Sequence, residues 1–260
     1  MSTLPALLPP ESDAPFPPVE RALRQPDGLL AVGGDLSPQR LLNAYRHGIF
    51  PWYSQGQPIL WWSPDPRTMF ATDGVRLGSK FRRSLRGSEW EVRADTSFAQ
   101  VIGACAESPR PGQAGTWITR EMRAAYERMH ELGHAHSFEV FDGGRLVGGI
   151  YGIAIGRMFF GESMFSAASG GSKVALAALA FHLHDWGFPL IDAQVENDHL
   201  LSLGAELWPR ARFLGAVAEL TAQPGIVAPW TDRVGRWPAS RLAGEPAAGK
   251  GPAEAASPDP

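Results

Sequence analysis

A chain of 260 residues with an apolar fraction of 44% can bury a sizeable core, as one medium domain or one domain plus a small one. Its net charge of −3 carries no global basic excess, so nucleic-acid binding would have to come from a local patch. The single cysteine, Cys105, excludes a disulfide framework within the monomer and argues against a cysteine-based metal site.

Residues 1–14 are Pro-rich and expected to be loosely ordered. They have no positive segment ahead of an apolar run, so no secretory signal is expected. No stretch approaches the roughly 18–20 apolar residues of a membrane span. Ser37-Pro38 reads as a helix start, a hydroxyl cap followed by proline at the first helical position. Leu41, Leu42 and Tyr45 share a face of that helix, and Gly48 ends it. Ile59–Trp62 is a short strand bounded by prolines, and Glu89–Arg93 alternates as a strand would. Thr96 is expected to cap a helix that turns Phe98, Val101, Ile102 and Cys105 inward. Thr119 starts another, with Met122, Ala125, Tyr126, Met129 and Leu132 at helical spacing and Gly133 at its end.

Ser137–Phe141, Leu146–Ile155 and Arg157–Phe160 read as strands, with a turn at Ile155-Gly156. Lys173–Trp186 is a mostly buried helix stopped by Gly187, and Pro189–Gln194 is the next strand. Asn197 or Asp198 caps a helix ending at Gly204, and Arg210–Leu214 reads as a last strand. Residues 242–260 hold Ala, Gly, Pro and Glu with almost no large apolar side chain, the composition of a disordered tail. The interleaving predicts an α+β or α/β chain with a mixed sheet. A small N-terminal domain over 15–66 and a larger one over 67–241 are expected.

Generic catalytic motifs are missing. There is no phosphate loop, no His-Glu-x-x-His and no Gly-x-Ser-x-Gly. His134/His136 and His182/His184 are spaced by two, which does not aim two helical side chains at one ion, so no metal is expected. Three segments stand out. Gly28 to Arg67 is rich in Gly, Pro and Trp, including Trp52, Trp61 and Trp62. Gly161-Glu-Ser-Met-Phe-Ser166 places a carboxylate at a strand end, ahead of a Gly- and Ser-rich turn into a helix that could bind an anion. Leu190-Ile-Asp-Ala-Gln194 sets Asp192 and Gln194 two apart, on one face of a strand, where buried polar groups must be bonded or functional.

Together these segments resemble the leucyl/phenylalanyl-tRNA–protein transferases. The resemblance covers Gly28 to Trp62, Thr116-Trp-Ile118 with Tyr126, Gly161 to Ser166, Ser172-Lys173, and Leu190 to Ala205, in family order from about Phe16 to Leu214. It implies an acyl-CoA N-acetyltransferase-like larger domain, joined to a small N-terminal domain, in an α+β fold. It implies transfer of Leu or Phe, and less well Met, from aminoacyl-tRNA to proteins beginning with Lys or Arg. The product would be read by the cytoplasmic N-end-rule degradation machinery. No cofactor and no membrane are implied, and a monomer is expected.

The resemblance also implies roles. Asp192 would orient Gln194, whose carbonyl would accept the proton of the acceptor amine, and Glu162 would pair with the cationic acceptor side chain or amine. Trp52, Trp117 and Tyr126 would hold the terminal adenosine. Ile150 and Leu179 are expected to shape the donor side-chain pocket. The basic stretch of Arg76, Lys80, Arg82, Arg83, Arg86 and Arg93 would meet tRNA phosphates. Two positions depart from the family pattern. Ala167 stands where an Arg is usual, and Ala193 where a Cys is usual. Two rival readings follow from the residues: an acyl-CoA N-acetyltransferase, and a tRNA-binding module without catalysis.

Overall fold

The chain, seen in a computed structural model that describes residues 4–11, 13–108 and 116–244, is built on two sheets. The first has four short strands, β1 (Ala6–Leu8), β2 (Leu29–Gly33), β3 (Phe50–Pro51) and β4 (Leu60–Trp62), in the order β1-β2-β4-β3. Helix α1 (Pro38–Arg46) lies between β2 and β3 in sequence. Its start follows from local chemistry: Pro38 sits at the first turn, and the Ser37 hydroxyl accepts from the Arg40 amide at 3.3 Å. Gly48, at φ +69°, takes the left-handed conformation just beyond the helix end. Trp61 is fully buried, edge-on to Phe16 at 4.9 Å.

The second sheet contains β5 (Arg67–Ala71), β6 (Glu91–Ala94), β7 (Ala135–Asp142), β8 (Arg145–Ile155), β9 (Met158–Ser166), β10 (Leu190–Gln194), β11 (Glu206–Trp208) and β12 (Trp237–Pro238). Their order is β11-β5-β10-β9-β8-β7-β6-β12. Neighbours are antiparallel except β9 and β10, which run parallel. One face packs on the small sheet with α3 (Phe98–Glu107), α4 (Arg120–Glu131) and α7 (Arg210–Thr221). The other is covered by α5 (Gly171–Asp185), α8 (Thr231–Val234) and the chain around Trp230 and Trp237. Two short helices, α2 (Ser79–Leu85) and α6 (Asp198–Ser202), complete the fold. The class is α+β with a mixed sheet, as expected.

Helix α5 approaches β8 so closely that no side chain fits between them. A Cβ on Gly148 would lie 2.4 Å from the carbonyl carbon of Gly171, and one on Gly171 would lie 2.3 Å from the Val147 oxygen. Both obstacles are backbone atoms, which cannot swing aside. Gly148→Ala is therefore expected to cost about 1–3 kcal/mol through forced displacement of α5. Denaturant unfolding would read this as a lower midpoint, and an unchanged midpoint would show that α5 slides freely.

Several expectations need correction. Arg210–Leu214 is not a strand; it opens α7, where Phe213, Val217 and Leu220 face the core at helical spacing, a period that a five-residue window cannot display. The last strand to join the second sheet before it is Glu206–Trp208. Thr96 does not cap α3: Ser97 holds the cap position, and the Thr96 hydroxyl donates to buried Glu139 at 2.8 Å. Strand β9 continues through Ser166, so Glu162 lies within a strand and not at its end. The basic stretch contains helix α2. Within 1–14, expected to be loosely ordered, Ala6–Leu8 forms a strand parallel to β2. The buried Arg40 guanidinium holds this segment by donating to the carbonyls of Pro9, Glu11 and Ala14. Of the expected tail 242–260, Leu242 and Ala243 belong to a 3-10 turn, and 245–260 lie outside the described residues. Among the described residues no helix is long and apolar enough to cross a membrane. Among them, too, no three His, Cys, Asp or Glu gather to hold a metal ion.

Candidate active site

Among the described residues, the one parallel pair in the large sheet, β9 and β10, carries the two polar motifs side by side. Asp192 on β10 is in register with Phe160 on β9. Glu162 follows two residues along β9, and Gln194 two residues along β10. A cavity of about 450 Å³ opens here, with Phe50, Trp52, Trp117 and Ile150 among its apolar walls and Glu162, Asp192, Gln194 and Glu196 among its polar ones. Among the described residues, none of those lining it is Lys or Arg.

Its foundation is a buried ion pair. Arg67, at the start of β5, donates through Nε to Asp192 Oδ1 at 2.8 Å and through Nη2 to Oδ2 at 2.7 Å. Both side chains are fully buried. A charge removed from water needs complete bonding, and the guanidinium has partners besides the carboxylate. Its Nη1 donates to the Gly48 carbonyl at 3.1 Å, and its Cζ lies over the Phe50 ring at 4.7 Å and over the Phe213 ring at 4.4 Å. One residue thus joins the small sheet, the large sheet and α7.

Asp192 in turn shapes the backbone beyond it. Its Oδ1 accepts from the Gln194 amide at 2.8 Å, and Gln194 adopts φ +64°. A non-glycine residue in that region is strained and persists only when its surroundings hold it. The strand bulges here: Asp192 opposes Met69, while Gln194 opposes the adjacent Thr68. The simple alternation expected of Asp192 and Gln194 is therefore broken, and an extra residue in the strand is what turns Gln194 toward β9.

Gln194 Nε2 donates to Glu162 Oε1 at 2.8 Å. The same oxygen accepts from the Tyr45 hydroxyl at 2.7 Å, and Oε2 accepts from the Tyr126 hydroxyl at 2.9 Å. The two hydroxyls also touch each other. Burial pushes the Glu162 carboxyl up to about 7; the two tyrosine bonds oppose this, Asp192 adds to it, and Gln194 opposes it. Both phenols are raised well above their usual value, by burial first and then by the Glu162 charge, so they remain donors.

The other expected site residues divide. Trp52 and Trp117 line the cavity, and Ile150 does so from β8. Tyr126 is fully buried and presents no ring face to a base; its hydroxyl serves Glu162. Leu179, on α5, is fully buried in the core and does not line the cavity, whereas Leu176, about one helical turn earlier, does. Arg76, Lys80, Arg83 and Arg86 are exposed in and beside α2, Arg82 is half-buried, and Arg93 pairs with Glu91. Lys173 links this basic stretch to the cavity. Its Nζ lies 5.8 Å from the Phe81 ring of α2, and its charge adds to burial in lowering the pKa of rim residue His199. Tyr45 and Arg67 lie in the Gly-, Pro- and Trp-rich segment, but neither carries a site signal of its own: Tyr45 reads as core on an amphipathic helix, and Arg67 as a lone Arg after a Pro-Asp-Pro run.

The anion site imagined at the start of α5 is largely used up. The Gly171 amide donates to Ala168 O at 3.0 Å, and the Ser172 amide to Ser166 Oγ at 2.8 Å. With those donors taken and the glycines needed for packing on β8, a pyrophosphate cradle has little to offer here. Ala167 is exposed beside it, and Ala193 is a half-buried part of the cavity wall.

Comparison with known proteins agrees with the motifs. Residues 69–218 match the family described as leucyl/phenylalanyl-tRNA protein transferase, and residues 34–65 match its N-terminal domain. A leucyl/phenylalanyl-tRNA–protein transferase of Xanthomonas axonopodis pv. citri is 70% identical over 239 residues, 92% of this chain and 96% of that protein. One from Xylella fastidiosa is 64% identical over 231 residues, covering 89% and 95%. Solved structures resemble the chain only distantly. FemX reaches a TM-score of 0.43 at 13% identity over 66% of each chain. A GCN5-related N-acetyltransferase-like protein from Streptococcus suis reaches 0.31 at 15% identity, covering 63% of this chain and 60% of that one. On the length and identity of the sequence matches, the chain belongs to the leucyl/phenylalanyl-tRNA–protein transferase family.

Proposed function

We propose that this chain moves Leu or Phe, and less well Met, from aminoacyl-tRNA to the α-amine of proteins whose first residue is Lys or Arg. The observation that carries the reading is the cavity, apolar on one side and ending on Gln194 and Glu162. An aminoacyl ester is already activated, so the protein must align ester and amine and handle one proton; it needs no ATP. The apolar wall with Ile150 and Leu176 takes the donor side chain, and its shape discriminates among apolar groups only modestly. Trp52 and Trp117, both on the cavity wall, would stack on the terminal adenosine. Carboxylates without lining cations favour a cationic acceptor. Asp192, held on Arg67, fixes Gln194, whose carbonyl orients the attacking amine. Cytoplasmic location, action as a monomer and supply of products to N-end-rule degradation belong to the same reading.

The test is transfer of labelled leucine from charged tRNA to a peptide with N-terminal Arg, beside its N-acetylated form. Transfer to the free amine alone supports the proposal, and transfer to neither peptide refutes it.

The basic stretch would meet acceptor-stem phosphates through α2. Arg83→Ala and Lys80→Ala are expected to weaken binding of every tRNA alike. Each change should lower the slope of log affinity against log salt by about 1. Filter binding across salt concentrations measures this, and unaltered slopes would place the tRNA elsewhere.

A further inference from the structure

We propose that Glu196, with Val195 beside it, reads the positively charged side chain of the acceptor's first residue. The inference rests on the transferase reading above and adds to it the residues that set acceptor specificity. Among the described residues three carboxylates line the cavity: Glu162, Asp192 and Glu196. Both Asp192 oxygens accept from the Arg67 guanidinium. Glu162 accepts from Tyr45, Tyr126 and Gln194, so it belongs to the end of the cavity where the amine is held. Glu196 is exposed at the rim and, among the described residues, makes no hydrogen bond or ion pair. It is the carboxylate with its charge still to be matched.

The backbone under Glu196 is fixed on both sides. Before it, the Gln194 amide donates to Asp192 Oδ1 at 2.8 Å, and the Val195 amide donates to the Ala193 carbonyl at 2.9 Å. After it, Asn197 caps α6. Its Oδ1 accepts from the His199 amide at 2.8 Å, and its carbonyl accepts from the Leu201 amide at 3.0 Å. The carboxylate therefore stands on a rigid lip, and only its own side chain has to be ordered when a cation arrives. That limits the entropy cost of the contact.

Val195 supplies the second half of the site. It is 40% exposed and lines the same cavity. Lys and Arg carry their charge on an apolar stem, which lies on apolar surface while the head reaches a polar group. Val195 followed by Glu196 offers the two surfaces in that order. The lengths agree as well. Glu196 follows Gln194 by two residues, at most about 7 Å of chain. A lysine spans a similar length from its α-nitrogen to its Nζ. With the amine on Gln194, the stem crosses Val195 and the charge arrives at Glu196. A neutral head forgoes the ion pair, and an acidic head is repelled.

The experiment is leucine transfer, by the full chain and by Glu196→Gln and Glu196→Lys, to peptides beginning with Arg or with citrulline, the neutral isostere of Arg. The readout is the ratio of kcat/KM for the two peptides, because charged tRNA and the bond formed are common to both. The unaltered chain is expected to favour Arg, and less so at high salt. Glu196→Gln is expected to lower the ratio by about fivefold, mainly through a higher KM for the Arg peptide. Glu196→Lys repels the same cation and should lower the ratio further. An equal ratio in Glu196→Gln and the unaltered chain overturns the inference. So does equal use of the two peptides by the unaltered chain. Absence of transfer to either peptide by the unaltered chain would instead refute the transferase reading, and the inference with it.

Discussion

Arg67→Met is expected to destabilise the protein by about 3–5 kcal/mol, because it leaves Asp192 charged and buried without its counter-ion, holding only the Gln194 amide. The guanidinium supplies both hydrogen bonds to the carboxylate oxygens from the neighbouring strand and shares the same desolvated space. Asp192→Ala should be costly for the mirror-image reason, stranding a cation between two phenylalanines. Replacing both together, Arg67→Met with Asp192→Leu, removes both charges at once and should recover most of the lost stability. It should not recover transfer, because the Gln194 amide then has no Asp192 Oδ1 to donate to. Denaturant unfolding of the two single variants and the double, each beside a transfer assay, separates these effects. Additive losses in the double variant would show that the pair is not the coupled unit its geometry describes.

Gln194→Ala is expected to lower transfer by about 100-fold with little change in fold, since it removes the group proposed to align the amine. A control separates chemistry from backbone strain. Gly tolerates φ +64°, whereas Ala does not, so Gln194→Gly should be the more stable by roughly 1 kcal/mol. If the side-chain amide matters, both variants lose transfer equally despite that difference. If Gln194→Gly retains turnover, the residue serves only the bulge. Unlike the change at Arg67, these substitutions leave the buried ion pair intact, so beyond the small difference between Gly and Ala their effect should appear in the rate.

Local signals foretold local structure well. The Ser37 and Thr119 caps, the glycine stops at 48 and 133, and the strands around Leu146–Ile155 and Leu190–Gln194 depend on neighbours within one turn or one strand. Where a reading failed, the deciding partner was distant or the window too short. Helix α7 needed twelve residues to reveal its period. Strand β1 exists because β2 and Arg40 hold it, more than twenty residues away. Leu176 and Leu179 both look like core on a helix apolar all round, and only the lie of α5 against β8 shows which of them reaches the cavity.

By itself the sequence determined the family, the mixed α+β class, and the two polar motifs that meet in the site, because those are properties of residue type and spacing. Only the tertiary structure decided how the motifs are used. It set Arg67 on Asp192 across 125 residues and Tyr45 on Glu162 across 117. It turned Gln194 by a bulge and made Tyr126 a support for a carboxyl instead of a face for a base. The physical reason is burial: a charge or a hydroxyl taken out of water must find its partner wherever the packed elements bring one, and distance along the chain does not limit that choice.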